Sequence, residues 1–247
     1  REIALAGLYG GGFCDKAAVY GGTGWRIFHG LPRFSEDREF SLVEKNAELD
    51  LESYFPTVSE EFKAAGRDVL ITRKEKKVQT KVESAFLKDN TELYDLSFET
   101  EKDIKRTIEV DTEPPRGFST EQKLSLMPFS FMTRCFTLPD LYAGKMHALI
   151  FRSYKNRVKG RDWYDFEWYV RHDVPLDLAH FQIRAKEFNG LDIDKAEFIK
   201  MLREKLGTTD INMVKQDVMP FVQNPAELDI WSNDYFLQLA DRIKYVE

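Results

Sequence analysis

Two cysteines, Cys14 and Cys135, are all that the 247 residues contain. So sparse a set, far apart and without metal-ligand spacing, excludes a disulfide framework and a thiolate zinc site, and buried free thiols in a reducing compartment are expected. Histidine is scarce too: His29, His147, His172 and His180 show no paired metal spacing and are expected to pack or to face solvent. No apolar run approaches the roughly 18 residues of a membrane span, and the opening REIALAGLYGGGF is too short and too glycine-interrupted for a secretory leader. The expected location is the cytoplasm. There is no excess of positive charge either: the formal net charge is −6, so a polyanion would have to find a local basic patch. Internal repeats, low-complexity tracts and long linkers are absent from the sequence.

What is present is ordinary for a folded chain, with 43% hydrophobic, 32% charged and 13% aromatic residues, enough for a sizeable core in one large or two small domains. The stretch Tyr20 to Leu42, YGGTGWRIFHGLPRFSEDREFSL, stands out. Gly21 and Gly22 can take positive φ and admit a ligand to the backbone, Thr23 is a good N-cap for the helix carrying Trp25, Ile27 and Phe28, and amides at such a helix start can hold a phosphate. Beyond Pro32, Asp37 and Glu39 stand two apart. On a strand they share one face with Cα atoms roughly 6.5 Å apart, a spacing that can grip a hard cation. Taken singly, the glycines read as a turn and the acids as a solvated strand end; in this order they point to nucleotide chemistry.

A helix is expected over residues 1–9, another around Leu51 to Phe62 with a break or kink at Pro56 and a C-cap at Gly66, and a strand at VLIT, 69–72, followed by a charged hairpin edge at 73–77. From Val78 to Thr112 strands are expected, broken at Asp89–Asn90. In the last of them, RTIEVDT, Thr107, Glu109 and Asp111 point one way and Ile108 and Val110 the other. Glu109 is the natural third carboxylate beside Asp37 and Glu39, with Asp111 in reserve; a solvated acidic face is the plainer reading. Helices start near Pro139–Asp140 and Arg161–Asp162. On the first, Lys145 and Arg152 share a stripe, and Lys145 either neutralises a triphosphate or snorkels to the surface. Asp162 and Asp165 lie on one helical face, where they can orient Lys145, a metal or a base, or pair with the basic run Lys155, Arg157, Lys159 and Arg161. Everything beyond Val174 reads as amphipathic helices, forming one wall of a cleft.

The strings VYGGT, RFSEDREFSL and GKMHAL…NRVKGRDWYD, in this order, resemble the AbiEii/AbiGii-type nucleotidyltransferases, the toxin components of bacterial abortive-infection, type IV toxin–antitoxin systems. The resemblance implies an α+β chain with a DNA polymerase β-like core over residues 1–137, a mixed sheet flanked by helices, and a helical C-terminal part over 138–247. It implies a magnesium- or manganese-dependent transfer of a nucleoside monophosphate from an NTP to an acceptor hydroxyl, with RNA or transfer RNA as acceptor and a winged-helix regulator as cognate antitoxin. Carried over by residue, Gly21, Gly22, Thr23, Ser35 and Lys145 would contact the nucleotide, Asp37, Glu39 and Glu109 the metal, and Asp37, Glu39, Lys145 and Asp162 would form the catalytic set. Asp140 and Lys145 match the family's Asp-x4-Lys element, and Arg161, Asp162 and Asp165 its Arg-Asp-x-x-Asp element. The chain departs from the usual Asp-Leu-Asp in reading Asp37-Arg38-Glu39, and from a common lysine in having Thr107. The first departure leaves an alternative: a nucleotide- or antitoxin-binding module whose metal site is weakened.

Overall fold

The computed structural model describes residues 2–35, 38–46, 48–74, 91–98, 106–152 and 158–247, without the side chains of Thr23 and Arg106. Asp37, residues 75–77 of the expected hairpin edge, the strand break expected at Asp89–Asn90, and Lys155 and Arg157 lie outside the described residues. The chain forms two compact units: residues 1–31, 35–114 and 120–136 make the first, and residues 32–34, 115–119 and 137–247 the second.

The first unit is built on a seven-stranded mixed sheet: β1 (Ala17–Tyr20), β2 (Arg38–Leu42), β3 (Val69–Arg73), β4 (Thr91–Phe98), β5 (Arg106–Asp111), β6 (Thr120–Ser125) and β7 (Phe131–Phe136), in the order β3-β4-β5-β2-β1-β7-β6. At its centre β1 runs antiparallel to β2 and parallel to β7, and β2 runs parallel to β5. The helices α1 (Glu2–Gly10), α2 (Gly21–His29) and α3 (Phe55–Ala64) belong to this unit. Period-two alternation decides the faces: Val19, Phe40, Ile108 and Val110 join Leu5, Val58 and Phe62 in the hydrophobic core, which leaves Glu39 and Glu109 on the opposite face. Pro56 starts α3 rather than kinking a helix, because proline at the first turn sacrifices no hydrogen bond; a 3-10 turn, Glu52–Tyr54, precedes it. Gly66, at φ +72°, follows the end of α3 as expected. The sequence pattern does not announce the β6–β7 hairpin. Its alternation is legible in FMTRCF, where Phe131, Thr133 and Cys135 are buried, but Leu126, Met127 and Phe129 are exposed at its tip and blur the pattern. Both cysteines are buried and free.

The second unit contains α4 (Leu138–Phe151), α5 (Gly160–Arg171), α6 (Leu178–Asn189), α7 (Lys195–Thr208), α8 (Ile211–Val218) and α9 (Asn233–Ala240). Side chains of Asp177, Asp194, Asp210 and Ser232 cap the last four, each accepting a backbone N–H of the first turn. Aromatic rings fill the interior: Tyr142 stacks on Tyr169 with centroids 4.2 Å apart, and Trp163 meets Phe236 edge-on at 4.8 Å. Glu167, buried on α5, accepts Trp231 Nε1–H at 2.8 Å and the Tyr235 hydroxyl at 2.6 Å. The final helix stops at Ala240, short of the amphipathic pattern that runs to Val246; the tail extends instead, and Tyr245 bridges to Leu176. No helix among the described residues is long and apolar enough to cross a membrane.

Candidate active site

In the first unit β1 runs directly into α2. The helix begins at Gly21 with Tyr20 as its uncapped N-terminal residue, so Thr23 lies inside the first turn and is not the cap expected of it. An anion fills that role: the Glu39 carboxylate accepts the Gly22 N–H at 2.9 Å through Oε2. Gly21 makes this possible twice over. Its φ is +72°, and a Cβ there would stand 1.6 Å from Glu39 Oε2. A negative charge at a helix N-terminus is favoured by the unpaired amides and the helix dipole.

Glu39 on β2 is the register partner of Glu109 on β5. In a parallel pair such partners point to the same face, with the strands about 4.8 Å apart. Two carboxylates side by side, with Asp37 two residues earlier in the sequence, are the hard oxygen donors that magnesium or manganese takes. The residues present therefore fit a divalent cation, although among the described residues no set of three ligands is gathered. Arg38, the departure from the family pattern, is buried and pairs in register with core residue Ile108, which sends its side chain to the face opposite Glu39. Asp111 sits opposite Ser41 on the same face as Glu109, and its Oδ1 accepts the Glu113 N–H at 3.0 Å. Ser35 is buried in the segment leading to β2.

In the second unit an alternating chain of charges runs through the interior. Arg33 clamps Asp165 with Nε to Oδ1 and Nη2 to Oδ2, both at 2.5 Å. Lys145 Nζ lies 3.0 Å from Asp165 Oδ2 and 3.4 Å from Asp162 Oδ1, and Arg152 Nη1 lies 3.1 Å from Asp162 Oδ2. Lys145 and Arg152 come from one stripe of α4, and Asp162 and Asp165 from adjacent turns of α5, as helical spacing demands. Burial alone would push the Asp162 carboxyl up, but Arg152, Lys145 and Arg33 outweigh it and hold it below the usual carboxylate range. Lys205 Nζ donates to the Arg152 carbonyl at 3.0 Å, and burial pulls that amine down, with Asp162 opposing. Lys145 does not simply snorkel; its ammonium is held between two carboxylates.

Asp140 takes a separate part. Its Oδ2 accepts the Thr137 hydroxyl at 2.5 Å and the Ser119 N–H at 3.0 Å, fixing the start of α4, and burial raises its carboxyl against those bonds. Arg161 lays its guanidinium over the Phe221 ring at 4.1 Å. Arg33 is the residue that motif reading missed. No local signal marks it, since Pro32 and Phe34 on either side are exposed while Arg33 itself is buried.

The family model "Nucleotidyl transferase AbiEii toxin, Type IV TA system" matches residues 3–239. No curated protein matches in sequence. Among solved structures, a putative nucleotidyltransferase from H. pylori aligns with a TM-score of 0.50 and 16% identity over 97% of this chain and 87% of its own. JHP933 from Helicobacter pylori aligns with a TM-score of 0.50 and 15% identity over 97% and 84%. MenT4, a nucleotidyltransferase toxin from Mycobacterium tuberculosis, aligns with a TM-score of 0.55 and 12% identity over 92% and 76%. At these identities the likeness establishes the fold, a mixed sheet flanked by helices.

Proposed function

This chain belongs to the AbiEii nucleotidyl transferase toxin family of type IV toxin–antitoxin systems, and from that premise we propose that it moves a nucleoside monophosphate from an NTP to an acceptor hydroxyl and releases pyrophosphate. The observation that carries the reading is the register of Glu39 with Glu109 beside the Gly21–Gly22 turn. Asp37, Glu39 and Glu109 would hold magnesium or manganese. When bound, the metal neutralises phosphate charge and makes the acceptor hydroxyl a better nucleophile.

The amides at the start of α2, with Thr23 and Ser35, are the donors for phosphate oxygens. The Gly22 N–H serves one anion at a time, so a phosphate that takes it displaces the Glu39 carboxylate, and nucleotide entry and Glu39 movement are coupled. Lys145 supplies a cation for the triphosphate, and Asp162 holds that cation in place. Arg38 lies away from Glu39, so it does not compete with a metal there, which favours the enzyme over a weakened binding module. An RNA acceptor such as a transfer RNA end, a winged-helix regulator as antitoxin and a cytoplasmic setting belong to the same reading. Lys155, Arg157, Lys159 and Arg161 are its local support in the sequence.

Isothermal titration with each NTP in magnesium, followed by incubation of α-labelled NTP with total RNA, tests it. Binding and label transfer are expected from the wild type, and both are lost when Asp37→Ala and Lys145→Ala are combined. Binding that survives the double substitution refutes the site; binding without transfer in the wild type favours the binding module.

A further inference from the structure

We propose that Arg33 is a positioning residue for nucleotide binding, acting through Asp165 on Lys145; the inference rests on the reading of Lys145 given above. Arg33 is 2% exposed and Asp165 is fully buried, and their contact is bidentate. Stability alone gives little reason to keep such a pair, since a buried ion pair seldom does better than apolar residues of like volume. What distinguishes this one is that the carboxylate is shared. Asp165 Oδ2 accepts Arg33 Nη2 and forms an ion pair with Lys145 Nζ at 3.0 Å.

Two consequences follow. A guanidinium fork locks both oxygens of Asp165 in one plane, so Lys145 has a fixed counter-ion on that side, while Arg152 fixes Asp162 on the other. Arg33, Lys145 and Arg152 all contact these two carboxylates. Without Arg33, Asp165 loses its bidentate partner, so its carboxylate can turn toward Lys145 and draw that ammonium away from a phosphate.

The test compares full-length wild type, Arg33→Met and Arg33→Lys by NTP titration in magnesium and by thermal melting, at a temperature where each is folded. Arg33→Met keeps the volume of the stem and is expected to bind NTP roughly 10- to 100-fold more weakly, the size of one charged contact. Arg33→Lys restores the charge without the fork and should recover part of the affinity. A purely structural arginine would change the melting point and leave the affinity of the folded protein unmoved. Wild-type affinity in folded Arg33→Met overturns the inference alone. Should Arg33→Met not fold, Arg33→Lys carries the test, and wild-type affinity there overturns it equally. A wild type that binds no NTP overturns the proposed function and this inference together.

Discussion

Gly21→Ala offers a quantitative test of the geometry around Glu39. The substitution imposes two separable costs. An L-residue at φ +72° has left-handed backbone strain of about 1–2 kcal/mol. The new methyl also falls 1.6 Å from Glu39 Oε2, a position it can hold only if the carboxylate leaves. Departure breaks the charge-assisted bond to the Gly22 N–H, a loss of about 1.5–3 kcal/mol, toward the lower end because Glu39 is only half-buried and water replaces part of it. The single variant should therefore lose about 3 kcal/mol in urea unfolding, with the slope unchanged. The double-mutant cycle with Glu39→Ala isolates the second cost. Once the carboxylate is gone the methyl's nearest neighbour at residue 39 is the Cβ at 3.0 Å, so Gly21→Ala in that background should cost the backbone strain and a small adjustment of that contact, leaving a coupling of about 1.5–3 kcal/mol. If the two substitutions add to within about 0.5 kcal/mol, the carboxylate does not occupy the glycine's empty side-chain position and the reasoning fails.

His180 should make stability depend on pH. It is fully buried, and burial first, then Arg184, push its imidazole from the usual 6.5 down to about 3. The unfolded chain takes up a proton below pH 6.5 that the folded chain refuses until about 3, so stability falls as pH drops through that window. Between pH 7 and 5 the wild type should lose about 2 kcal/mol more than His180→Gln in urea unfolding, and parallel curves would exclude His180 as the cause. Gly160→Ala probes the crossing of α5 and α8, because its Cβ would stand 2.2 Å from the Val214 carbonyl oxygen. A loss of about 3 kcal/mol, read as a lowered melting temperature, is expected, and an unchanged melting temperature would show that the two helices slide apart freely.

Strict periodicity made much of the fold legible. RTIEVDT displays its two faces in the letters themselves, and the C-terminal helices announce their starts with Asp177, Asp194, Asp210 and Ser232. Features that depend on partners remote in sequence were harder to read. Thr23 fits a cap by local rules, but the anion that serves the helix arrives from β2, sixteen residues further along the chain. Arg33 looks like a loop charge until α5 is folded beside it. For Lys145 the sequence leaves snorkelling and ligand binding both open, because nothing local shows that two carboxylates from another helix enclose it. The β6–β7 hairpin is hidden in the sequence because Leu126, Met127 and Phe129 place apolar side chains where a turn is usually polar.

The interleaving of the two units also sets a timetable for synthesis. Arg33 leaves the ribosome 132 residues before its partner Asp165, and β1 waits for β7 to supply its parallel neighbour. A nascent or truncated chain that stops short of α5 carries Lys145 without either of the carboxylates that hold it. No contiguous cut through the sequence yields either unit whole, since residues 32–34 and 115–119 belong with the C-terminal helices. The charge cluster thus comes into being only late in translation, and fragments of this chain are unarmed by construction of the fold.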